Sequence, residues 1–152
     1  MGISRFYQKH LMPTENPRVV LITGATSGIG RAATLLFAAL GDHVTAVGRR
    51  ADRLDALAQE IEAQGLSGRI LPVAADVTDP AAVQRAVGLT LAEFNRLDVL
   101  VAGAGIGHRG ALVDADWDDL DTVLRTNIDG VLHSIRAAVP ALRASGGGHI
   151  IL

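Results

Sequence analysis

Continuous apolar runs alternate with amphipathic stretches along nearly the whole chain, and that alternation restricts its fold more than any other feature. Val19 to Ile22, Val44 to Val47, Ile70 to Ala74, Val99 to Ala102 and Ile150 to Leu152 are short runs with little polar interruption. A strand wetted on one side alternates apolar with polar residues, so runs of this kind belong to a sheet covered on both faces. The stretches between them carry a helical apolar repeat. Ile29, Ala32, Ala33, Leu36 and Leu40 form one stripe, stopped at Gly41; Leu54, Leu57, Ala58 and Ile61 form a second, closed near Gln64 and Gly65. Val83, Val87, Leu91 and Phe94 form a third, introduced by Asp79 as a helix cap and Pro80 at the first helical position. A last, long helix from about Trp117 to Ala144 carries Leu120, Leu124, Ile128, Val131, Leu132, Ile135, Val139 and Leu142, and Pro140 is expected to bend it near its end.

Strand and helix in repeated succession predict an α/β fold, a doubly wound parallel sheet of the Rossmann type with about five strands and helices on both faces. Pro72 has no N–H to give a ladder, so the third strand is expected at a sheet edge, as in the strand order 3-2-1-4-5-6. The sheet is expected to be incomplete, because the sequence stops within the fifth strand. Residues 17–152 form one such domain, and residues 1–16, a polar and aromatic lead-in, read as an arm or a disordered tail.

The first strand breaks into Thr23-Gly24-Ala25-Thr26-Ser27-Gly28-Ile29-Gly30 and then a helix. Glycines so placed allow a tight turn and a close backbone approach to a pyrophosphate, while the helix N-terminus offers free N–H groups and the positive end of its dipole. Gly24, Thr26, Ser27, Gly28, Ile29 and Gly30 are therefore candidate cofactor-binding residues. The second strand ends in Val47-Gly48-Arg49-Arg50, where a dinucleotide fold selects its cofactor. An acidic side chain there binds the adenosine ribose 2′-OH, whereas a guanidinium pairs with a 2′-phosphate. Gly48 followed by Arg49 favours NADP(H) over NAD(H), the alternative being that Arg49 and Arg50, Arg50 above all, open a solvated helix.

The Thr-Gly-x-x-x-Gly-x-Gly spacing resembles the signature of the short-chain dehydrogenase/reductase family, and later stretches resemble it in the same order over residues 18–152. Asp76-Val77 is similar to the pair that holds the adenine ring in that family, although Asp76 also suits a simple turn. Ala102-Gly103-Ala104-Gly105 resembles a stretch that usually reads Asn-Asn-Ala-Gly. The resemblance implies backbone contact with the cofactor ribose, without the amides that brace the sheet. Thr126-Asn127-Ile128-Asp129-Gly130 resembles the family's mid-helix asparagine motif, which implies that Asn127 holds a water in a proton relay. Asn is otherwise a poor helix residue, because its amide competes with the backbone.

The implied activity is hydride transfer between nicotinamide and a carbonyl or secondary alcohol. The family's catalytic Ser and Tyr-x-x-x-Lys are expected after the fifth strand, and this chain has neither: its one tyrosine is Tyr7 and its one lysine Lys9. The chain is thus expected to carry the cofactor-binding part of such an enzyme and to be inactive alone. An inactive nucleotide-binding or regulatory module, associating through the helix around Asn127 to Leu142, is the alternative.

Composition narrows the remaining classes. A net charge of −2 with scattered basic residues gives no case for nucleic acid or an anionic membrane. The absence of cysteine removes disulfides and thiolate metal sites, and the histidines have no ligand spacing, so no metal is expected. Without a signal peptide or a membrane-length apolar run, a cytoplasmic location is expected, with a small carbonyl or alcohol as substrate and a homo-oligomer possible.

Overall fold

A computed structural model describes residues 16–152; the expected N-terminal arm, with Tyr7, lies outside these but for Asn16. In chain order come β1 (Val19–Thr23), α1 (Gly28–Ala39), β2 (His43–Gly48), α2 (Ala51–Ala63), β3 (Ile70–Ala74), α3 (Pro80–Phe94) and β4 (Val99–Ala102). A short 3-10 turn (Leu112–Asp114), α4 (Trp117–Leu124), a π-helical segment (Arg125–Asp129), α5 (Gly130–Ala144) and β5 (His149–Ile151) follow.

The five strands form one parallel sheet in the order β3-β2-β1-β4-β5. Every residue of β1 is buried, because its side chains alternate between two apolar layers. Val19 and Leu21 face α3 and α5 across Val83, Val87, Ala138 and Leu142, while Val20 and Ile22 face α1 and α2 across Ala38, Leu54, Leu57 and Ile61. Full burial of a Leu or Ile side chain contributes about 1.5–3 kcal/mol, so the central strand is held from both sides. β3 is an edge strand in which Pro72 lies exposed, so its missing N–H costs the ladder nothing.

The base of the sheet is tied by carboxylates. Asp42, fully buried, accepts the Arg18 backbone N–H at 2.9 Å and its guanidinium at 2.6 and 3.2 Å. That hydrogen bond raises the Arg18 guanidinium above its ordinary range, against the opposing pull of burial. Asp98 accepts the Val19 N–H at 2.8 Å and a forked contact from Arg96. Asp79 caps α3 through the Ala81 N–H at 2.8 Å, as expected from Asp79-Pro80.

Three expectations need correction. The stripe assigned to α1 is rotated: Ile29 is 88% exposed and Ala32 is exposed, while Gly30, Thr34 and Ala38 form the buried line. Small residues let the helix lie close to the sheet, and the buried Thr34 hydroxyl is satisfied by the Gly30 carbonyl at 2.9 Å. In α3, Leu91 gives way to Thr90, buried with its hydroxyl 2.9 Å from that of Thr45 on β2. The long helix after the fourth strand is not continuous. The π-helical segment at Arg125–Asp129 divides it, and Leu124, Ile128 and Leu132 stay exposed while Ala137, Ala138, Ala141 and Leu142 pack on the sheet. Pro140 sits within α5 without ending it.

Candidate functional site

The carboxyl ends of β1, β2, β3 and β4 open into a cleft of about 630 Å³. The topology places it there: β2 and β4 leave β1 on opposite sides, and the loops following them diverge. Gly24, Thr26, Ser27, Gly28, Ile29 and Gly30 form one wall, Arg49, Asp76 and Val77 the rim beyond β2 and β3, and Gly103, Ala104 and Gly105 the opposite side.

The glycines of the first turn are there for close backbone approach. Gly24 has φ 75°, and a Cβ on it would lie 2.6 Å from the Gly103 carbonyl oxygen. A Cβ on Gly30 would meet the Gly24 carbonyl oxygen at 2.4 Å. Gly28 is different, since nothing stands within 4 Å of an added Cβ and its φ of 54° is the requirement. Ser27 caps α1 without any side-chain capping bond, so among the described residues the first N–H groups of the helix, on residues that line the cleft, have no side-chain acceptor. An open wall, close-packed glycines and unspent helix N–H groups fit a dinucleotide pyrophosphate.

At the rim, Arg49 is 62% exposed and its guanidinium lies 4.0 Å from the Asp76 carboxylate. Asp76 turns its other oxygen back on its own loop, accepting the Thr78 N–H and hydroxyl at 2.9 Å each. Asp76 is thus a turn residue, and it also borders the cleft. Val77 lines the cleft and is 6% exposed, and it faces Gly130, where an added Cβ would lie 2.5 Å from a Val77 methyl.

On the far side, Gly103, Ala104 and Gly105 line the cleft, while Ala102 lies beneath it, buried within β4 and paired with Thr23. Ala102 and Gly103 bring no side-chain amide to brace this region, as the sequence implies. The Thr23 hydroxyl nevertheless accepts the Ala104 N–H at 3.2 Å and ties the loop to β1. Asn127 sits in the π-helical segment, outside the cleft lining. Its amide oxygen accepts the Ile106 N–H and its amide nitrogen donates to the Ile106 carbonyl, both at 2.9 Å. One side chain thereby holds both polar groups of one loop residue, and Gly105 lets it approach. A π turn adds one residue to a helical turn, a feature frequent at functional sites.

Sequence reasoning missed four lining residues, namely Arg50, Ala75, Ile106 and Thr126. Arg50, read as a solvated helix residue, donates to the Thr26 hydroxyl at 2.9 Å and lies 3.4 Å from that of Ser27. The two-residue period of extended backbone puts position 50 on the same side as position 48, but Arg49, out of phase with both, lines the cleft as well, so spacing does not single Arg50 out. Among the described residues no helix is long and apolar enough to cross a membrane.

Comparison with known proteins agrees with this geometry. The profile of the family described as short chain dehydrogenase matches residues 18–152. The 3-oxoacyl-acyl-carrier-protein reductase FabG of Thermotoga maritima is 39% identical over 134 residues, which cover 88% of this chain and 54% of that protein. The crystal structure of a 3-ketoacyl-ACP reductase from Sinorhizobium meliloti superimposes with a TM-score of 0.80 at 38% identity, covering 87% of this chain and 51% of the other. L-Sorbose reductase from Gluconobacter frateurii, complexed with NADPH and L-sorbose, gives 0.81 at 32% identity, covering 92% and 52%. The chain spans about half the length of these relatives.

Proposed function

The chain belongs to the short chain dehydrogenase family, and on that premise we propose that its cleft binds NADP(H) in preference to NAD(H). The residues supply the cofactor half of a reductase acting on a carbonyl or secondary alcohol. The observation that carries the reading is the rim of the cleft, where Gly48 leaves no carboxylate for a ribose 2′-OH and Arg49 presents an exposed guanidinium. The NADPH named with the sorbose reductase complex is consistent with it.

When bound, the nicotinamide dinucleotide supplies the hydride. This chain's residues hold it: Gly24 to Gly30 receive the pyrophosphate, Asp76 and Val77 border the adenine end, and Gly103 to Gly105 offer backbone to a ribose. Ala102 acts from beneath by keeping that loop on the end of β4. Asn127 fixes the same loop through Ile106, and each of its amide atoms retains one bonding direction for the water of a proton relay. No Tyr-x-x-x-Lys stands among its residues, and the proton donor that would meet the developing alkoxide is not contributed by this chain. The substrate class we assign is a small carbonyl or alcohol, in keeping with the reductases that the chain resembles.

A second reading, that the chain serves as a nucleotide-binding association module, draws on the exposed row Leu124, Ile128 and Leu132, each more than half exposed. Such a row suits packing against another helix, including that of a second copy. The primary reading is tested at Arg49. A charge-assisted hydrogen bond contributes about 1.5–3 kcal/mol, so Arg49→Ala should weaken NADP(H) roughly 10- to 150-fold and leave NAD(H) nearly unchanged. Equal loss for both cofactors in a calorimetric titration would remove the assignment.

A further inference from the structure

Thr26 stands between the two parts of the site that the proposed function treats separately, the phosphate cradle and the adenosine rim. Its position is fixed by backbone, since the neighbouring Ala25 N–H donates to the Val47 carbonyl at 3.0 Å and so carries the turn over the end of β2. On the other flank of β2, the Gly48 carbonyl accepts the Ala75 N–H at 3.0 Å. Between these two bonds the Thr26 side chain lies on Gly48. A Cβ added at Gly48 would fall 2.6 Å from the Thr26 Cγ2 methyl, 3.5 Å from Oγ1 and 3.6 Å from Cβ. The methyl therefore fills the space through which any side chain at position 48 would have to rise. The hydroxyl stands beside that space rather than in it, and accepts the Arg50 guanidinium at 2.9 Å.

We propose that Thr26 is a specificity-determining residue for the adenosine ribose, acting through both ends of its side chain. The methyl excludes the carboxylate that would select a free 2′-OH. The hydroxyl holds Arg50 at the rim beside Arg49, so that two guanidinium groups face an incoming 2′-phosphate. Arg50 changes from a helix-opening residue to the partner that makes the rim selective, and Thr26 is its positioning residue. The proposal rests on the NADP(H) reading and adds to it a coupling between positions 26, 48 and 50.

That coupling makes the two halves of Thr26 separable. Thr26→Val keeps a methyl over Gly48 and removes the hydroxyl; Thr26→Ser keeps the hydroxyl and removes the methyl. Adenosine 2′,5′-bisphosphate and 5′-AMP, which differ only in the 2′-phosphate, are titrated calorimetrically into the full chain and these variants, each first shown to unfold cooperatively. Thr26→Val and Arg50→Ala should each lose roughly tenfold or more of the bisphosphate affinity with 5′-AMP little changed, and Thr26→Ser should keep the discrimination. Gly48→Asp alone should gain little for 5′-AMP, because the methyl obstructs the acid, whereas Gly48→Asp with Thr26→Ser should gain several-fold more than the separate effects combined. Undiminished discrimination in Thr26→Val, or the same 5′-AMP gain from Gly48→Asp with and without Thr26→Ser, would overturn the role of Thr26 while leaving the NADP(H) reading standing. Equal affinities of the unaltered chain for the two ligands would overturn the NADP(H) reading and this proposal with it.

Discussion

Replacing glycine by alanine in a helix should have opposite signs at Gly30 and at Gly88, and the contrast isolates what the cradle demands of its backbone. Both lie within helices, Gly30 in α1 and Gly88 in α3. Alanine relieves the conformational entropy of glycine by roughly 0.5–1 kcal/mol at either position. At Gly88 none of the described residues stands within 4 Å of the new Cβ, so Gly88→Ala should stabilise by the whole of that amount. At Gly30 the new Cβ would lie 2.4 Å from the Gly24 carbonyl oxygen, 2.8 Å from its carbon and 3.3 Å from the Ala25 nitrogen. The obstruction is backbone, and the first contact falls 1.0 Å short of the 3.4 Å at which ordinary contact begins, so α1 and the turn must part. Overpacking of this kind costs about 1–3 kcal/mol, which outweighs the helix gain and leaves Gly30→Ala destabilised by up to ~2.5 kcal/mol. Urea unfolding at low protein concentration reads both variants, with midpoints compared at a common slope. A Gly30→Ala chain as stable as Gly88→Ala would refute the reasoning, for it would mean that the turn yields freely and its glycines are not set by close approach.

Two further outcomes are expected from the site and from the sheet edge. Asn127→Ala should leave the Ile106 N–H and carbonyl without their side-chain partners, and hydrogen exchange at Ile106 and its neighbours should accelerate severalfold or more while α5 and β1 keep their protection; unchanged exchange at Ile106 would contradict the clamp. The 152-residue chain alone should reduce no carbonyl in a panel assay with NADPH and should associate as concentration rises, since among the described residues β5 pairs only with β4 and leaves Ile150, Ile151 and Leu152 at 40%, 48% and 78% exposure. Cofactor-dependent reduction by a preparation free of host reductases, or a monomer at all concentrations by sedimentation, would contradict those two expectations in turn.

The strands were legible in the sequence because a buried parallel strand needs apolar side chains on both faces, and Val19 to Ile22 or Val99 to Ala102 has no other use for them. Pro72 marked the edge and Asp79-Pro80 the start of α3, each through a backbone group that only one environment satisfies. Helix faces were less legible. A periodic search rewards large apolar residues, yet α1 turns Gly30, Thr34 and Ala38 to the sheet because closeness matters more there than bulk, and Ile29 is left at the cleft. The π-helical segment was hidden for a related reason: the run of apolar residues continues through it, although one extra residue turns the following face by about 100°, and the available sign was an asparagine in mid-helix. The glycine cradle could be read from spacing because its requirement is an absence of side chains. Arg50 could not, since its role depends on where Thr26 lies, and that is fixed by the hydrogen bond from Ala25 to Val47 across the top of the sheet.

The measurement that bears most directly on the central claim is the affinity of the unaltered chain for NADPH and for NADH, taken by calorimetry at micromolar protein in low salt. The two ligands differ by one phosphate, and a single charge-assisted bond from the rim contributes about 1.5–3 kcal/mol, so NADPH should bind at least about tenfold more tightly, with the difference shrinking as salt is raised. Equal affinities, or tighter binding of NADH, by a chain that unfolds cooperatively would contradict the account.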